Sequence, residues 1–582
     1  MPARFPLAIA IVTLTAACVP SAPPTSTGPD VAKRAVAEHG MVAAGNGYAS
    51  EAGLAMLTRG GNAADAAVAS ALVLGVVEPM MSGLGAGGGA VVWMQASGRA
   101  EYVDFYSSAG AVIDTGLQSL RGSATPRGVG VPGAVAGLLA LQSRYGRLSR
   151  AEVMAPAIRL AAEGHTANSL LARMVASDTA KVGRYGGARN IFLANGRPVR
   201  AGDLVAQPEL AATLRLLAER GSDAFYRGAL AESFVSALRA GGSTLTTADF
   251  AAYQPRWERP LCGTYHGRVV LTAAAPQSGM QVLEALNLLE PIDLPALGLP
   301  SRSPAAFDVL VGALRVAVTD REAYVGDAHH VGVPQAGVSS KAFAELRRPA
   351  MSEPATRRLP PGDAWPMDAV VPSGACASFD PAGPARGPRV AAMGVEGDAQ
   401  HGETTHLSVV DADGNAVSLT NTLGVNFGTG TWVNGVFFNS ALFNFARNDS
   451  GPNAARPRHV PASTIAPTLL LRDGRVEMVV GSPGSAAIPP AIVETIVYAL
   501  DYGMDPLQAL RMPRVIPTAT GRVQMEDGFA AEVMARARTR FDEVVTSPPV
   551  DQGFGGVHVL LRQRGRWVGA ADPRRSGEVR GH

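Results

Sequence analysis

Between residues 404 and 423, polar and apolar side chains alternate with a period of two. The runs His406–Asp411 and Asn415–Leu423 flank Ala412-Asp413-Gly414. Such alternation on both sides of a short glycine-containing loop predicts a β-hairpin. Glycine in the last loop position can take the left-handed conformation that closes a type I turn. In this register Thr404 faces Thr422, and a slip of one residue would lose the pairing.

Other stretches carry the helical period. Ser50 is the expected N-cap of a helix reaching about Leu57, and Asn62 that of a second helix with Ala64, Ala67, Val68, Ala71 and Leu72 on one face. Arg150–Gly164 and Gln281–Leu289 also read as helices. Strands are expected at Ala90–Met94, near Thr468–Leu471 and near Val476–Val480, the last two joined by a turn at Asp473-Gly474. Gly83-Leu84-Gly85-Ala86-Gly87-Gly88 fits the dinucleotide pattern G-x-G-x-x-G. It follows a helix and precedes a strand, the reverse of the order a nucleotide site needs, so no nucleotide is expected. From Arg347 to about His401 the period vanishes and Pro and Gly recur, as in a surface linker or a flexible approach to a processing point.

Residues 1–30 read as an export signal and tether. Arg4 supplies the positive end, Leu7–Ala17 the apolar stretch and Thr15-Ala16-Ala17-Cys18 a small-residue cleavage region. Cys18 is a candidate lipid-attachment site, although the Leu usual in such signals sits one place early, at Leu14. The expected location is therefore periplasmic. A chain of 582 residues can bury a large core, and 51 basic against 49 acidic residues argue against a nucleic-acid partner. With three cysteines, disulfides are not the framework, and the ten histidines form no metal-ligand pattern, so neither metal nor cofactor is expected.

A threonine pair across a hairpin can serve packing alone. Its neighbours add to it: Thr404-Thr405-His406-Leu407-Ser408-Val409-Val410-Asp411, then Asp413-Gly414-Asn415-Ala416-Val417, then Phe427-Gly428-Thr429-Gly430. This signature resembles the γ-glutamyltransferase (glutathione hydrolase) family of N-terminal-nucleophile hydrolases. Gly128–Gly137, Pro276-Gln277-Ser278-Gly279, Asp320-Arg321, Gly326-Asp327 and Ala570–Arg575 extend the resemblance over nearly the whole chain.

The resemblance implies an α+β fold, an αββα four-layer sandwich assembled from two subunits of one precursor. The chain would cut its own Glu403–Thr404 bond, leaving a large subunit (31–403) and a small subunit (404–582) that begins with the nucleophile Thr404. A new α-amino group, with a reference pKa of about 7.7–8.0, can serve as its base. Thr422 would orient the hydroxyl or relay its proton. His406 reads as a structural hydrogen-bonding residue rather than the base. Gly484 and Ser485 are the expected oxyanion-hole donors, where the family has Gly-Gly.

The acyl pocket departs from the family. A γ-glutamyl group carries a carboxylate and an ammonium, which the family meets with Arg and Asp. Those positions fall here on Tyr106 and Asn444, the nearby Gln becomes Ala441, and the Asn after Thr422-Leu423 becomes Gly424. Ser463 and Thr464 keep their hydroxyls. The expected substrates are γ-glutamyl compounds such as glutathione or related amides. The alternatives are a cephalosporin-acylase-like hydrolase of non-glutamyl amides and, in another class, a non-catalytic exported binding protein.

Overall fold

The computed structural model describes residues 33–356, 358–368, 374–377, 379, 388–389, 403–447 and 450–582. The expected leader and tether, and the approach to Thr404 at 390–402, lie outside them. Two seven-stranded antiparallel sheets dominate. One runs, in spatial order, Arg34–Ala37, Arg566–Ala571, His558–Gln563, Arg475–Gly481, Thr468–Arg472, Arg268–Thr272 and Leu261–Tyr265. The other runs Glu578–Gly581, Met41–Ala44, Glu403–Val410, Ala416–Gly424, Gly87–Met94, Arg99–Phe105 and Arg256–Glu258. The expected hairpin thus occupies the centre of the second sheet. Central strands there carry branched and aliphatic residues on buried faces, where burial of each large side chain contributes about 1.5–3 kcal/mol.

Three cores separate four layers. Helices Gly47–Thr58, Ala63–Val77, Ala134–Tyr145 and Arg150–Glu163 cover the second sheet, with Val68 and Leu74 packed in one cluster with Val42, Val92, Leu407, Val409 and Leu419. Helices Gly279–Leu289, Pro304–Tyr324 and Ile488–Leu500 cover the first through Leu283, Leu314 and Ile492 against Leu470, Met478 and Val480. Between the sheets lie Met41, Val91, Trp93, Leu271, Leu469, Val479 and Leu560. This is the expected αββα sandwich. Among the described residues no helix is long and apolar enough to cross a membrane.

Most sequence expectations hold in place. Asn62 caps the helix Ala63–Val77 in a capping box with Asp65. The first helix needs a correction: it begins at Gly47 behind Asn46, whose side chain accepts from the Tyr48 N–H. Ser50 lies inside the helix, where its hydroxyl donates to the Glu578 carbonyl at 2.8 Å. The strand expected at Ala90 starts at Gly87, because Gly87, Gly88 and Gly89 pair with Thr422, Asn421 and Thr420. At Gly88 a Cβ would lie 2.3 Å from the Thr420 carbonyl oxygen, so the glycine run serves close strand packing. Cys262 and Cys376 form a disulfide that ties the strand Leu261–Tyr265 to the segment following Arg347.

Candidate active site

The hairpin has the expected register: Thr404 faces Thr422, and Val410 faces Ala416. The register shifts between Glu403 and Thr404, so Glu403 faces Gly424 instead. This bulge turns the Glu403 carbonyl toward the Thr422 side chain. The Thr422 hydroxyl donates to the Glu403 carbonyl oxygen at 2.6 Å, accepts from the Thr404 hydroxyl at 3.0 Å and accepts from the Gly424 N–H at 2.9 Å. A hydroxyl has one proton to give and two lone pairs, so Thr422 is saturated. Each threonine is only 4% exposed. The carbonyl oxygen before Thr404 is therefore held by the Thr422 hydroxyl, which also accepts the hydrogen bond of the Thr404 hydroxyl. Gly424 has φ +93° and contributes its N–H rather than a side chain.

Period-two alternation sends Leu407, Val409, Val417 and Leu419 to the helices and leaves Thr404, His406, Ser408, Ser418, Thr420 and Thr422 toward the other sheet. That polar row is satisfied internally. His406 bonds Thr420 through Nδ1 at 2.9 Å and Ser408 through Nε2 at 3.1 Å, while Ser408 donates to the His558 carbonyl and Ser418 to the Val480 carbonyl. Burial, with a smaller contribution from His558, holds the His406 pKa well below the ordinary imidazole value. His406 is thus neutral and fully bonded, in keeping with the structural role expected for it.

Tyr106, Asn444 and Ser463 come together. The Asn444 amide donates to the Tyr106 hydroxyl at 2.9 Å, and Ser463 also hydrogen-bonds that hydroxyl. Burial raises the Tyr106 pKa to about 12, with the two hydrogen bonds opposing, so the phenol stays neutral. Flanking motifs hold the three in position. Asn439 donates to the carbonyls of Gly85 and Gly130 and accepts from the N–H groups of Gly130 and Ala441, tying the glycine-rich runs to the segment that carries Asn444. Ser278 donates to the Ser463 carbonyl at 2.7 Å, and Arg321 reaches both Ser278 and that carbonyl. Thr464 follows Ser463 and is half-buried.

Gly481 packs directly on the His406 ring, where a Cβ would lie 2.2 Å from Cε1. The turn carrying Gly484 and Ser485 therefore leaves the first sheet beside the strand of Thr404. Gly484 has φ +123° and Ser485 φ +53°, the latter a left-handed position held by a non-glycine residue. Neither backbone N–H has a backbone acceptor among the described residues.

Sequence reading overlooked three residues here. The Arg575 Nη1 lies 3.3 Å from the Glu403 carboxylate and 3.4 Å from the Thr404 carbonyl. The Thr405 hydroxyl donates to Glu78 at 3.1 Å. Burial raises the Glu78 pKa to about 7, opposed by the Thr405 bond and by Arg575 and Lys33, and reinforced by Glu403. The Arg574-Arg575 pair and Glu78-Pro79 are visible in the sequence, but nothing local connects residues so far apart in the chain.

Known proteins resemble this chain in sequence and in fold. A family model described as gamma-glutamyltranspeptidase matches residues 49–582. The chain is 32% identical to the glutathione hydrolase proenzyme of Bacillus subtilis (strain 168), over 94% of this chain and 92% of that one. It is 31% identical to the acylase ACY 1 proenzyme of Pseudomonas sp. (strain SE83), over 94% of each. The crystal structure of cephalosporin acylase from Bacillus halodurans superposes with a TM-score of 0.81 at 26% identity, covering 97% of this chain and 99% of that one. Such matches set aside the binding-protein alternative. A hairpin that opposes two threonines at the centre of an αββα sandwich, and a family model matching all of the chain but its beginning, lead to one conclusion: the chain belongs to the γ-glutamyltranspeptidase family of autoprocessing N-terminal-nucleophile enzymes.

Proposed function

We propose that the chain cuts its Glu403–Thr404 bond and then uses Thr404 as the nucleophile of an amide hydrolase and acyltransferase whose acyl group is not a typical γ-glutamyl. The Thr404 hydroxyl oxygen attacks the Glu403 carbonyl carbon, and the developing oxyanion takes the Thr422 hydrogen bond. The C–N bond breaks as its nitrogen takes up the proton, giving an ester at Thr404 and a free amine. Water then hydrolyses the ester to the Glu403 carboxyl group and the Thr404 hydroxyl. In turnover the neutral α-amine accepts the Thr404 proton as Oγ1 attacks the acyl carbon, and the ammonium so formed returns that proton to the leaving nitrogen as the C–N bond breaks, giving the acyl ester on Thr404 and a neutral amine. Water or an amine acceptor releases the acyl group. Gly484 and Ser485 N–H groups stabilise the oxyanion.

The observation that carries the acyl choice is the neutral Tyr106–Asn444–Ser463 cluster. Charge-assisted contacts to a glutamyl carboxylate and ammonium contribute about 1.5–3 kcal/mol each, and neutral groups forgo most of that. Relatives include both a glutathione hydrolase proenzyme and an acylase proenzyme, so family membership fits either acyl class. The test offers γ-glutamyl-p-nitroanilide and a glutaryl amide to the purified protein and to Thr404→Ala. We expect the glutaryl amide to turn over faster in the parent and neither to turn over in the variant. Faster γ-glutamyl turnover would refute the neutral-pocket assignment. Export to the periplasm, with Cys18 as lipid anchor, is supported by the leader pattern of residues 1–18 and by the Cys262–Cys376 disulfide, since such bonds persist in oxidising compartments. Cell fractionation with intact mass of the membrane fraction checks it.

A further inference from the structure

Arg575 touches both sides of the bond between Glu403 and Thr404. Its Nη1 lies 3.3 Å from Glu403 Oε2 and 3.4 Å from the Thr404 carbonyl oxygen, and the two side chains are 8% and 11% exposed. Between these contacts lies the Glu403 carbonyl, aimed by the bulge at Thr422. The pair is not built for stability. A single Nη1 contact replaces the two parallel bonds a guanidinium can give a carboxylate, and Nε is buried with no partner. Glu403 is also a residue that separates from Thr404 when the bond is cut, so any stability it lends belongs to the precursor alone.

We propose that Arg575 is a positioning residue for self-cleavage, holding the Glu403 side chain so that the carbonyl ahead of Thr404 stays seated on the Thr422 hydroxyl. This rests on the Glu403–Thr404 cleavage reading. The side chain of residue 403 sets the direction of the bulged peptide, and its carboxylate is the handle by which the small-subunit part of the chain grips it. Glu78 is the carboxyl group that stays. It is buried behind Thr405, and it faces Arg575 and Lys33 as cations and Glu403 as the other carboxylate. Once Glu403 is released, the Glu78 carboxyl, which already feels the guanidinium, is the acidic group left to it. A carboxylate at 403 is thus matched to this chain's own Arg575, and a neutral residue there would leave the peptide less firmly directed.

The experiment follows cleavage of freshly synthesised full-length chain by intact mass. It uses the parent, Glu403→Gln, Arg575→Lys, Arg575→Ala and the Glu403→Gln/Arg575→Ala double variant. The same changes are made in a Thr404→Ala background, where melting temperature reports folding without cleavage. We expect Glu403→Gln and Arg575→Ala to cut at least about tenfold more slowly, a ratio of the size one charged hydrogen bond commands. Arg575→Lys should fall between them and the parent, and the double variant should be no slower than the slower single. Melting temperatures of the Glu403→Gln and Arg575→Lys precursors should stay close to that of Thr404→Ala. A parent that cuts while Glu403→Gln keeps pace with it, or losses that simply multiply in the double variant, would overturn the inference and leave the cleavage reading intact. A parent that stays whole would remove that reading, and the inference with it.

Discussion

Replacing Thr422 by valine keeps its shape and removes the hydroxyl on which three groups converge. The Glu403 carbonyl loses its 2.6 Å donor, the Thr404 hydroxyl loses its 3.0 Å acceptor, and the Gly424 N–H loses its 2.9 Å acceptor. Losing one preorganised oxyanion donor costs about 10²–10³ in rate. Leaving the Gly424 N–H unpaired costs about 1–3 kcal/mol of stability, which a protein of this size can absorb. Self-cleavage of Thr422→Val should therefore slow by about 10²–10³ while the chain stays folded. Thr422→Ser, which keeps the hydroxyl, should remain within about tenfold of the parent. A time course on a denaturing gel, with the melting temperature of each variant measured in the Thr404→Ala background, separates the two effects. Cleavage of a folded Thr422→Val chain within threefold of the parent rate would refute the reasoning, because the hydroxyl at 2.6 Å from the Glu403 oxygen would then contribute nothing to the step.

Three further outcomes follow from the geometry. Asn444→Asp places a carboxylate beside the Tyr106 hydroxyl, where Asn444 now donates; the ratio of γ-glutamyl to glutaryl turnover should rise at least about tenfold, read from kcat/KM on both substrates. The Glu78 carboxyl is raised from 4.5 to about 7 in the fold, so its stabilising contribution is complete below pH 4.5 and is lost as pH rises through 7. Glu78→Gln in the Thr404→Ala precursor should flatten that decline, with a gain of at most ~3 kcal/mol above pH 8 by denaturant titration. Breaking the Cys262–Cys376 disulfide, whose partners are 114 residues apart, should cost about 2–5 kcal/mol and lower the melting temperature of Cys376→Ser.

What the sequence disclosed and what it withheld divide along a physical line. The hairpin was legible because its register depends only on period-two alternation and a glycine loop, and Thr404 opposite Thr422 followed from those alone. The capping of Ala63–Val77 by Asn62 was legible for the same reason, being local. The Ser50 cap failed because Asn46 and Ser50 are both good capping residues one turn apart, and the choice fell to the Ser50 contact with Glu578, more than five hundred residues away. The Tyr106–Asn444 contact was foreseen only as two pocket positions, since their hydrogen bond depends on how Asn439 ties the glycine runs together. Arg575 was read only as the end of the Ala570–Arg575 motif, with no role of its own, and Glu78 was not foreseen. Their role depends on a bulge between Glu403 and Thr404, which the alternating pattern does not predict.

The measurement that most directly tests Thr404 as the nucleophile is peptide mapping of the purified protein quenched during turnover of a slow amide substrate. The account predicts two fragments, the smaller beginning at Thr404, and an acyl group in ester linkage on the Thr404 side chain of that fragment. A single uncut chain that turns over substrate, or an acyl group carried on any other residue, would contradict it.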